Sequence, residues 1–514
     1  MPQVNLDALI QREDFEIKDS SSLSQTTQTI QIRDLEKDTF FYNVLRKPDF
    51  QRETSDWDVD KICDFIDSFL NGDLIPAIIL WNSGAYTFVI DGAHRLSALI
   101  SWVNDDYGDG IISKSFFDHN IDVEQIKRAE KTRKMVNEKI GNYLEFKQAI
   151  IKPQNVKPKL LERAQRLATL ALQLQWVKGD ASVAEASFFK INQKASPIDK
   201  TEFKLLQSRD KPSALAARAI MRAGTGHKYW SKFSDEVIKK VEDLAKEIYA
   251  LLFTPEYKTP IKTLDLPIAG KGYSTQTLSL IFDLINIVND VKSDKNIEAD
   301  KTGDKTINFL IETRRILRRI SSTHASSLGL HPVVYFYSLS GRYQPTAFLG
   351  VVELLKELEI KKELDKFTEV RPKFENFLVK YKDIVNQIHY KFGSGIKGYK
   401  RLSELYYFIF EQLTKGLSEV EVTQQLSKHP VFLFLQFSSE KHFDIINSDF
   451  SANTKSATFI LEALKSALKC KICGGLIHIN SISIDHKVRK EDGGIGSYDN
   501  AQLSHLYCNT TYKN

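Results

Sequence analysis

Two short-spaced pairs of soft ligands lie near the C-terminus, Cys470-x2-Cys473 and His505-x2-Cys508, separated by 31 residues. Three of the chain's four cysteines fall in this stretch, which is clustering of the metal-site kind and no disulfide framework. Zn²⁺ takes four thiolate or imidazole ligands in a tetrahedron, and a pair two residues apart can hold one ion from a tight knuckle. A structural zinc on Cys470, Cys473, His505 and Cys508 would staple a segment too small to build its own core. Coincidental burial of the cysteines is the plain alternative. Between the pairs, "SISIDHKV" reads as a short β-branched strand ending on Asp485 and His486. Asn500 lies 14 residues after His486, and Asn509 nine after Asn500. An imidazole that is neutral near pH 7 suits a general base. The competing reading is a zinc knuckle that merely carries a surface Asp and His.

A second constellation sits in the N-terminal third, at "FVIDGAHRLSAL". Asp91-Gly92 marks a strand-to-helix turn, where a glycine lets backbone N–H groups approach a phosphate at the helix N-terminus. Arg95, one turn in, can make a bidentate charge-assisted pair, and Arg52 offers a second cation. Asp91 suits a metal or a positioned water in phosphoryl chemistry. The bland reading makes Asp91-Gly92 a helix cap and Arg95 one half of a surface ion pair.

Two further stretches are basic. "ETRRILRRI" puts Arg314, Arg315, Arg318 and Arg319 along one helical flank, a stripe that could track phosphates or pair with acidic neighbours. "KFGSGIKGYKRL" combines three glycines with Lys397, Lys400 and Arg401, and with Tyr399 as a residue that could pack on sugar or base. An ordinary interhelical turn explains it equally well. Arg314, Arg318, Lys397, Lys400 and Arg401 are the candidate nucleic-acid contacts.

The last 45 residues or so resemble the HNH (ββα-metal) endonuclease family, in residue types and in intervals. The resemblance implies phosphodiester hydrolysis with His486 as general base. It also implies Asp485 and Asn509 as oxygen ligands of one Mg²⁺ or Mn²⁺, and Asn500 as the residue that holds the loop and orients His486. His505 stands where a cysteine is commoner, and only five residues follow Asn509, so a very short closing helix is expected. Residues 30 to 210 resemble the ParB/sulfiredoxin-like domain family, more narrowly the branch of GmrSD-type restriction enzymes. Phe50-Gln51-Arg52…Trp57, Asp91-Gly92-Ala93-His94-Arg95-Leu96 and Phe188…Asn192…Glu202 carry the likeness. Gly92, Arg95 and Ala98 also fit the G-x-x-R-x-x-A phosphate box of ParB nucleotide binders. Gln51, Arg52, Asp91, Gly92, His94, Arg95, Asn192 and Glu202 are thereby implied as a nucleoside triphosphate site. His94 replaces the usual Gln of the restriction branch.

These motifs need elements to position them. Ile62, Phe65, Ile66 and Phe69 recur at helical spacing before Asn71-Gly72; "AIILW" and "YTFVI" are strands around the turn "NSGA"; Leu96, Leu99 and Ile100 open the next helix. Long amphipathic helices fill residues 226 to 450 without a fixed-period repeat. The expected fold is α+β and multidomain. A flexible lead-in covers 1–30, a ParB-like α/β sensor domain 31–215, a helical linking and DNA-binding region 216–450, and a zinc-stapled HNH domain 451–514.

A hydrophobic share of 42% and a charged share of 27% are those of a soluble globular protein. No membrane span or signal peptide is legible, so a cytoplasmic location is expected. The net charge of +5 permits nucleic-acid binding by local patches without arguing for it. Together these readings predict a restriction-type antiphage endonuclease acting on DNA, with a nucleoside triphosphate as regulator, hydrolysed or merely bound. A homo-oligomer is compatible with this reading. The rivals are a plain HNH nuclease whose N-terminal domain only recognises DNA, and a non-enzymatic ParB-like regulator.

Overall fold

The computed structural model describes residues 4–13, 27–48, 51, 54, 57–83, 86–119, 121–195, 205, 208–225, 227–272, 275–292, 297–437 and 449–513. The chain divides into two units, Met1–Arg209 with Thr225–Tyr229, and Asp210–Gly224 with Trp230–Asn514.

The first unit is built on a six-stranded sheet of order β1-β3-β5-β4-β6-β2, with β1 Arg12–Glu13, β2 Thr29–Gln31, β3 Leu45–Pro48, β4 Ile78–Ser83, β5 Tyr86–Asp91 and β6 Ala171–Trp176. β4 and β5 form the expected hairpin, antiparallel with Trp81 opposite Phe88. The preceding helix, Val59–Asn71, starts where the Asp58 side chain accepts from the Lys61 N–H at 3.0 Å, and ends at Gly72 with φ +78°. Its Ile62, Ile66, Phe69 and Leu70 are buried, as the 3.6-residue period requires. Helix Ala93–Val103 follows β5 and buries Leu96, Leu99 and Ile100.

The expected flexible lead-in is corrected over residues 4–13. Val4, Leu6, Leu9 and Ile10 lie in the core of the first unit, and β1 pairs in parallel with β3. The Val4 and Leu6 N–H groups donate to the carbonyls of Trp57 (2.9 Å) and Thr54 (2.8 Å). Four apolar residues in seven outweigh the polar run behind them, because each fully buried side chain stabilises by about 1.5–3 kcal/mol.

The second unit is mainly helical. Helices Asp235–Phe253, Thr275–Val288, Asp304–Ile320, Pro345–Ile360, Leu364–Lys380, Ile384–Phe392 and Tyr399–Thr414 enclose its apolar residues. The boundary expected near 450 does not mark a separate compact unit. The C-terminal hairpin, β7 Ser483–His486 with β8 Ala501–Ser504, belongs to the same unit as these helices. The reason is a buried polar anchor on the Leu364–Lys380 helix, described below. No helix among the described residues is long and apolar enough to cross a membrane.

Candidate active site and metal centre

β7 and β8 pair antiparallel, with Asp485 opposite Gln502 and His486 opposite Ala501. Alternation along β7 buries Asp485, at 5% exposure, and leaves Ile484 exposed. The Asp485 Oδ2 accepts from Gln502 Nε2 and from Lys513 Nζ, both at 2.7 Å. Lys513 Nζ also donates to the His486 carbonyl. His486 is half-buried at the end of the strand.

Asn500 closes the loop that leaves His486. Its Oδ1 accepts from the Val488 N–H (2.8 Å), and its Nδ2 donates to the carbonyls of Val488 (3.1 Å) and Ile495 (2.9 Å). Asn509 sits on the closing helical turn Cys508–Tyr512 and ties it to β7, its Nδ2 donating to Ser483 Oγ (2.8 Å) and the Ile484 carbonyl (3.2 Å). Asp485 and His486 thus lie at the loop end of β7, Asn509 is tied to the start of the same strand, and Asn500 stands at the base of the loop. The Asp485 carboxylate and the Asn509 side-chain carbonyl are oxygen donors of the kind that suits a hard divalent cation.

The four soft ligands converge. The ligand atoms of Cys470, Cys473, His505 and Cys508 all lie within 4.8 Å of one another, and all four residues are buried. His505 Nδ1 is 3.3 Å from Cys473 Sγ and 3.8 Å from Cys508 Sγ. His505 Nε2 lies 2.9 Å from the Leu476 carbonyl, which fixes the tautomer with its proton on Nε2 and its Nδ1 lone pair toward the sulfurs. Zinc–sulfur bonds of ~2.3 Å in a tetrahedron put sulfurs ~3.8 Å apart, so the cluster fits Zn²⁺. Hydrogen bonds with Cys473 and Cys508 hold Cys470 below the usual thiol range, and those with Cys470 and Cys473 push Cys508 above it. The knuckle turns at Gly474, φ +71°, where a Cβ would lie 2.9 Å from Pro372 Cγ.

The anchor that sequence reasoning missed is Arg371, 1% exposed on the Leu364–Lys380 helix. Its Nε donates to Glu375 Oε1 at 2.6 Å, its Nη2 to the Gly329 carbonyl at 2.8 Å, and its Nη1 to the Leu328 carbonyl. Nη1 is also 3.3 Å from His505 Nδ1. Glu375 Oε2 accepts from the Leu476 N–H at 3.1 Å. The same side chains therefore hold the knuckle, the metal-ligating histidine and the helical body. Lys513 and Gln502 were missed as well. The only signal for Gln502 was its register opposite Asp485, and Lys513 carried none.

In the first unit, Gly92 caps the helix after β5 with φ +94°, and a Cβ there would meet Ile78 Cδ1 at 2.6 Å. Arg95 Nη2 pairs with Asp91 Oδ2 at 2.6 Å, while its Nη1 donates to the carbonyls of Ala77 (3.3 Å) and Pro76. His94 stacks on Trp57, with ring centroids 5.9 Å apart and planes at 27°, so the two N-terminal motifs meet. Gln51 is buried, with its Oε1 unpartnered among the described residues. The Gln51 carbonyl accepts from Arg12, which with Lys47 is bonded to the buried Asp7 (2.7 and 2.8 Å). Arg52 and Glu202 lie outside the described residues, and Asn192, in helix Ala181–Ala195, is described only as backbone.

The arginine stripe is corrected. Arg314 and Arg318 both close on Glu247, and Arg315 and Arg319 on Glu359. These are ion pairs between helices, not the solvated row that phosphate tracking needs. In the glycine-rich loop, Lys397 and Lys400 are exposed, and Arg401 pairs with Glu404 at 2.7 Å. Tyr399, 8% exposed, belongs to the core and not to a stacking surface.

Residues 31–296, just over half of the chain, match the family described as GmrSD restriction endonuclease, N-terminal domain, and residues 470–514 match HNH endonuclease. No curated protein and no solved structure matches the chain. A restriction-type N-terminal region and a nuclease hairpin over a Cys₃His centre thus occur in one polypeptide, and the chain belongs to the GmrSD restriction endonuclease family, with an HNH endonuclease domain at its C-terminal end.

Proposed function

We propose that this nuclease restricts foreign DNA, nicking or cutting it at the HNH hairpin under the control of a nucleoside triphosphate held by a ParB-like N-terminal unit. The observation that carries the catalytic part is the placement of Asp485 and His486 together on β7, with Asn509 bonded to the Ile484 carbonyl of the same strand. His486 takes the proton of the attacking water, the usual role of a positioned imidazole. Asn500 holds the backbone that follows it, and Gln502 and Lys513 fix the rotamer of Asp485. Mg²⁺ or Mn²⁺ held by Asp485 and Asn509 would supply positive charge to the scissile phosphate. The Cys₃His centre carries the structural zinc.

For the regulatory part, Gly92 at a helix N-terminus with Asp91, Arg95, His94 and Gln51 around it is the proposed phosphate cradle, completed by Arg52, Asn192 and Glu202. The biological role is defence against phage, with modified DNA as the preferred target. The bonds of Arg95 to Asp91 and to two carbonyls favour a second reading, in which the N-terminal unit recognises DNA without nucleotide chemistry. One experiment separates the two: cleavage of unmodified and phage-modified DNA with Mg²⁺ or Mn²⁺, with and without each triphosphate, alongside calorimetric triphosphate binding. Cleavage that responds to a bound triphosphate supports regulation. Cleavage without any triphosphate affinity supports the second reading, and no cleavage of any DNA sinks both.

A further inference from the structure

The second unit contains a cavity of about 370 Å³, within the range of small-molecule sites. Tyr257, Lys271, Ser279, Asp283, Tyr343 and Gly395 are among its lining residues. Two walls are aromatic. The Tyr257 ring lies nearly parallel to Tyr337, with centroids 5.8 Å apart, and its hydroxyl donates to the Gly341 carbonyl at 2.8 Å. Tyr343 is pressed against Gly270, whose φ is +73° and where a Cβ would fall 2.6 Å from the ring's Cγ. The Tyr343 hydroxyl is buried away from the cavity, so that residue offers the cavity its ring.

The cavity opens beside the glycine-rich basic loop. Gly395, φ +54°, has nothing within 4 Å of where a Cβ would be. Lys397 follows two residues later, and Lys400 lies on the first turn of helix Tyr399–Thr414. Unlike the arginine stripe, Lys271, Lys397 and Lys400 make no ion pair with the described residues. Tyr390, at the end of helix Ile384–Phe392 just before the loop, is 96% exposed. Solvated cations interleaved with an exposed aromatic ring form a surface for a nucleic-acid backbone and its bases. Inside the cavity the charges are one ammonium and one carboxylate, a poor environment for a polyphosphate and a good one for a neutral, hydrogen-bonding ring.

We propose that this cavity receives a nucleobase swung out of duplex DNA whose backbone lies along residues 391–402. The base would stack against the Tyr257 and Tyr343 rings, with Lys271, Ser279 and Asp283 as polar side chains of the lining. The proposal rests on DNA being the substrate. The lost stacking and pairing is smallest at a mismatch, so a base destined for the cavity leaves a mispaired position more readily.

The test uses full-length His486→Ala protein, matched duplexes, and duplexes with one central mismatch that carries 2-aminopurine. The expected result is affinity for the mismatched duplex higher by about tenfold, with a change in 2-aminopurine fluorescence on binding. Tyr257→Leu, which removes one ring of the lining, should reduce the mismatch preference while leaving matched-duplex affinity in place. Lys397→Glu/Lys400→Glu should weaken both duplexes together. Equal affinity for the two duplexes with unchanged fluorescence overturns the proposal. So does binding of a free nucleoside monophosphate that Tyr257→Leu abolishes, in the absence of any duplex effect. Either failure leaves wild-type DNA cleavage untouched, and absence of cleavage by the wild type would instead strike the nuclease reading.

Discussion

At the scale of single residues, the imidazole of His486 and the carboxylate of Asp485 differ in what constrains them. His486 sits at a strand end with its following loop locked by Asn500, and His486→Ala removes a base without removing a structural bond of the loop. Its expected effect is a loss of cleavage by about 10²–10⁴-fold with zinc content unchanged, read by plasmid nicking and elemental analysis. Asp485 is held from one side by the Lys513 ammonium at 2.7 Å. A cation approaching the other carboxylate oxygen meets a like charge within a few ångströms. Lys513→Met should therefore tighten Mn²⁺ binding several-fold in calorimetry at low salt, and an unchanged or weaker affinity would show that the ammonium does not oppose the metal.

At the scale of elements, the hairpin and the Leu364–Lys380 helix are one structural piece. Arg371 satisfies two backbone carbonyls and Glu375, and Glu375 in turn accepts from the knuckle. Removing one partner of a buried pair leaves the other uncompensated, typically at about 3–5 kcal/mol. Arg371→Met should lower unfolding stability by that order and speed zinc transfer to a chromophoric chelator, since outer-shell changes cost roughly 10–100-fold in metal affinity. Fast zinc release confined to Cys473 or Cys508 variants, with Arg371→Met retaining the metal, would contradict this coupling.

The adjoining Lys382 gives the same unit a pH dependence. Burial pulls its ammonium from 10.5 down to about 7, against the opposing pull of Glu375. It donates to the carbonyls of Val333 (2.9 Å) and Val334. From about pH 7 to 10.5 the unfolded chain holds a proton that the folded chain has released, so stability rises with pH through that window. Below it both forms are protonated and the slope vanishes. Lys382→Met should flatten the urea midpoint between pH 7 and 9, whereas a wild-type slope in the variant would place the titration elsewhere.

At the scale of the whole molecule, residues 451–514 carry eight Lys and Arg against five Asp and Glu. So small an excess offers little phosphate affinity, and productive DNA engagement is expected to draw on the rest of the chain. A ligand can govern such an enzyme only through contacts that differ between idle and active states. Asp91→Ala/Arg95→Ala is expected to lose phage protection in cells while its hairpin residues stay intact. Full protection by that variant, or equal cutting of host and phage DNA by the wild type, would refute control by the N-terminal unit.

The sequence by itself determined what is local. Ligand pairs two residues apart announce a knuckle because the spacing is set by one turn of chain. The helix Val59–Asn71, the hairpin β4–β5 and the glycine at position 92 follow from periodicity and turn chemistry within a dozen residues. Only the tertiary structure decided which charges are partnered. Arg314 and Arg318 meet a glutamate 67 and 71 residues away, and Lys513 meets Asp485 across 28. Likewise Arg371 lies 134 residues before the histidine it touches. Long-range pairs depend on how helices cross, and crossing angles are set by packing of whole faces that no short window of sequence contains. The same holds for Val4 to Ile10, which lead into a strand whose partner lies 35 residues downstream.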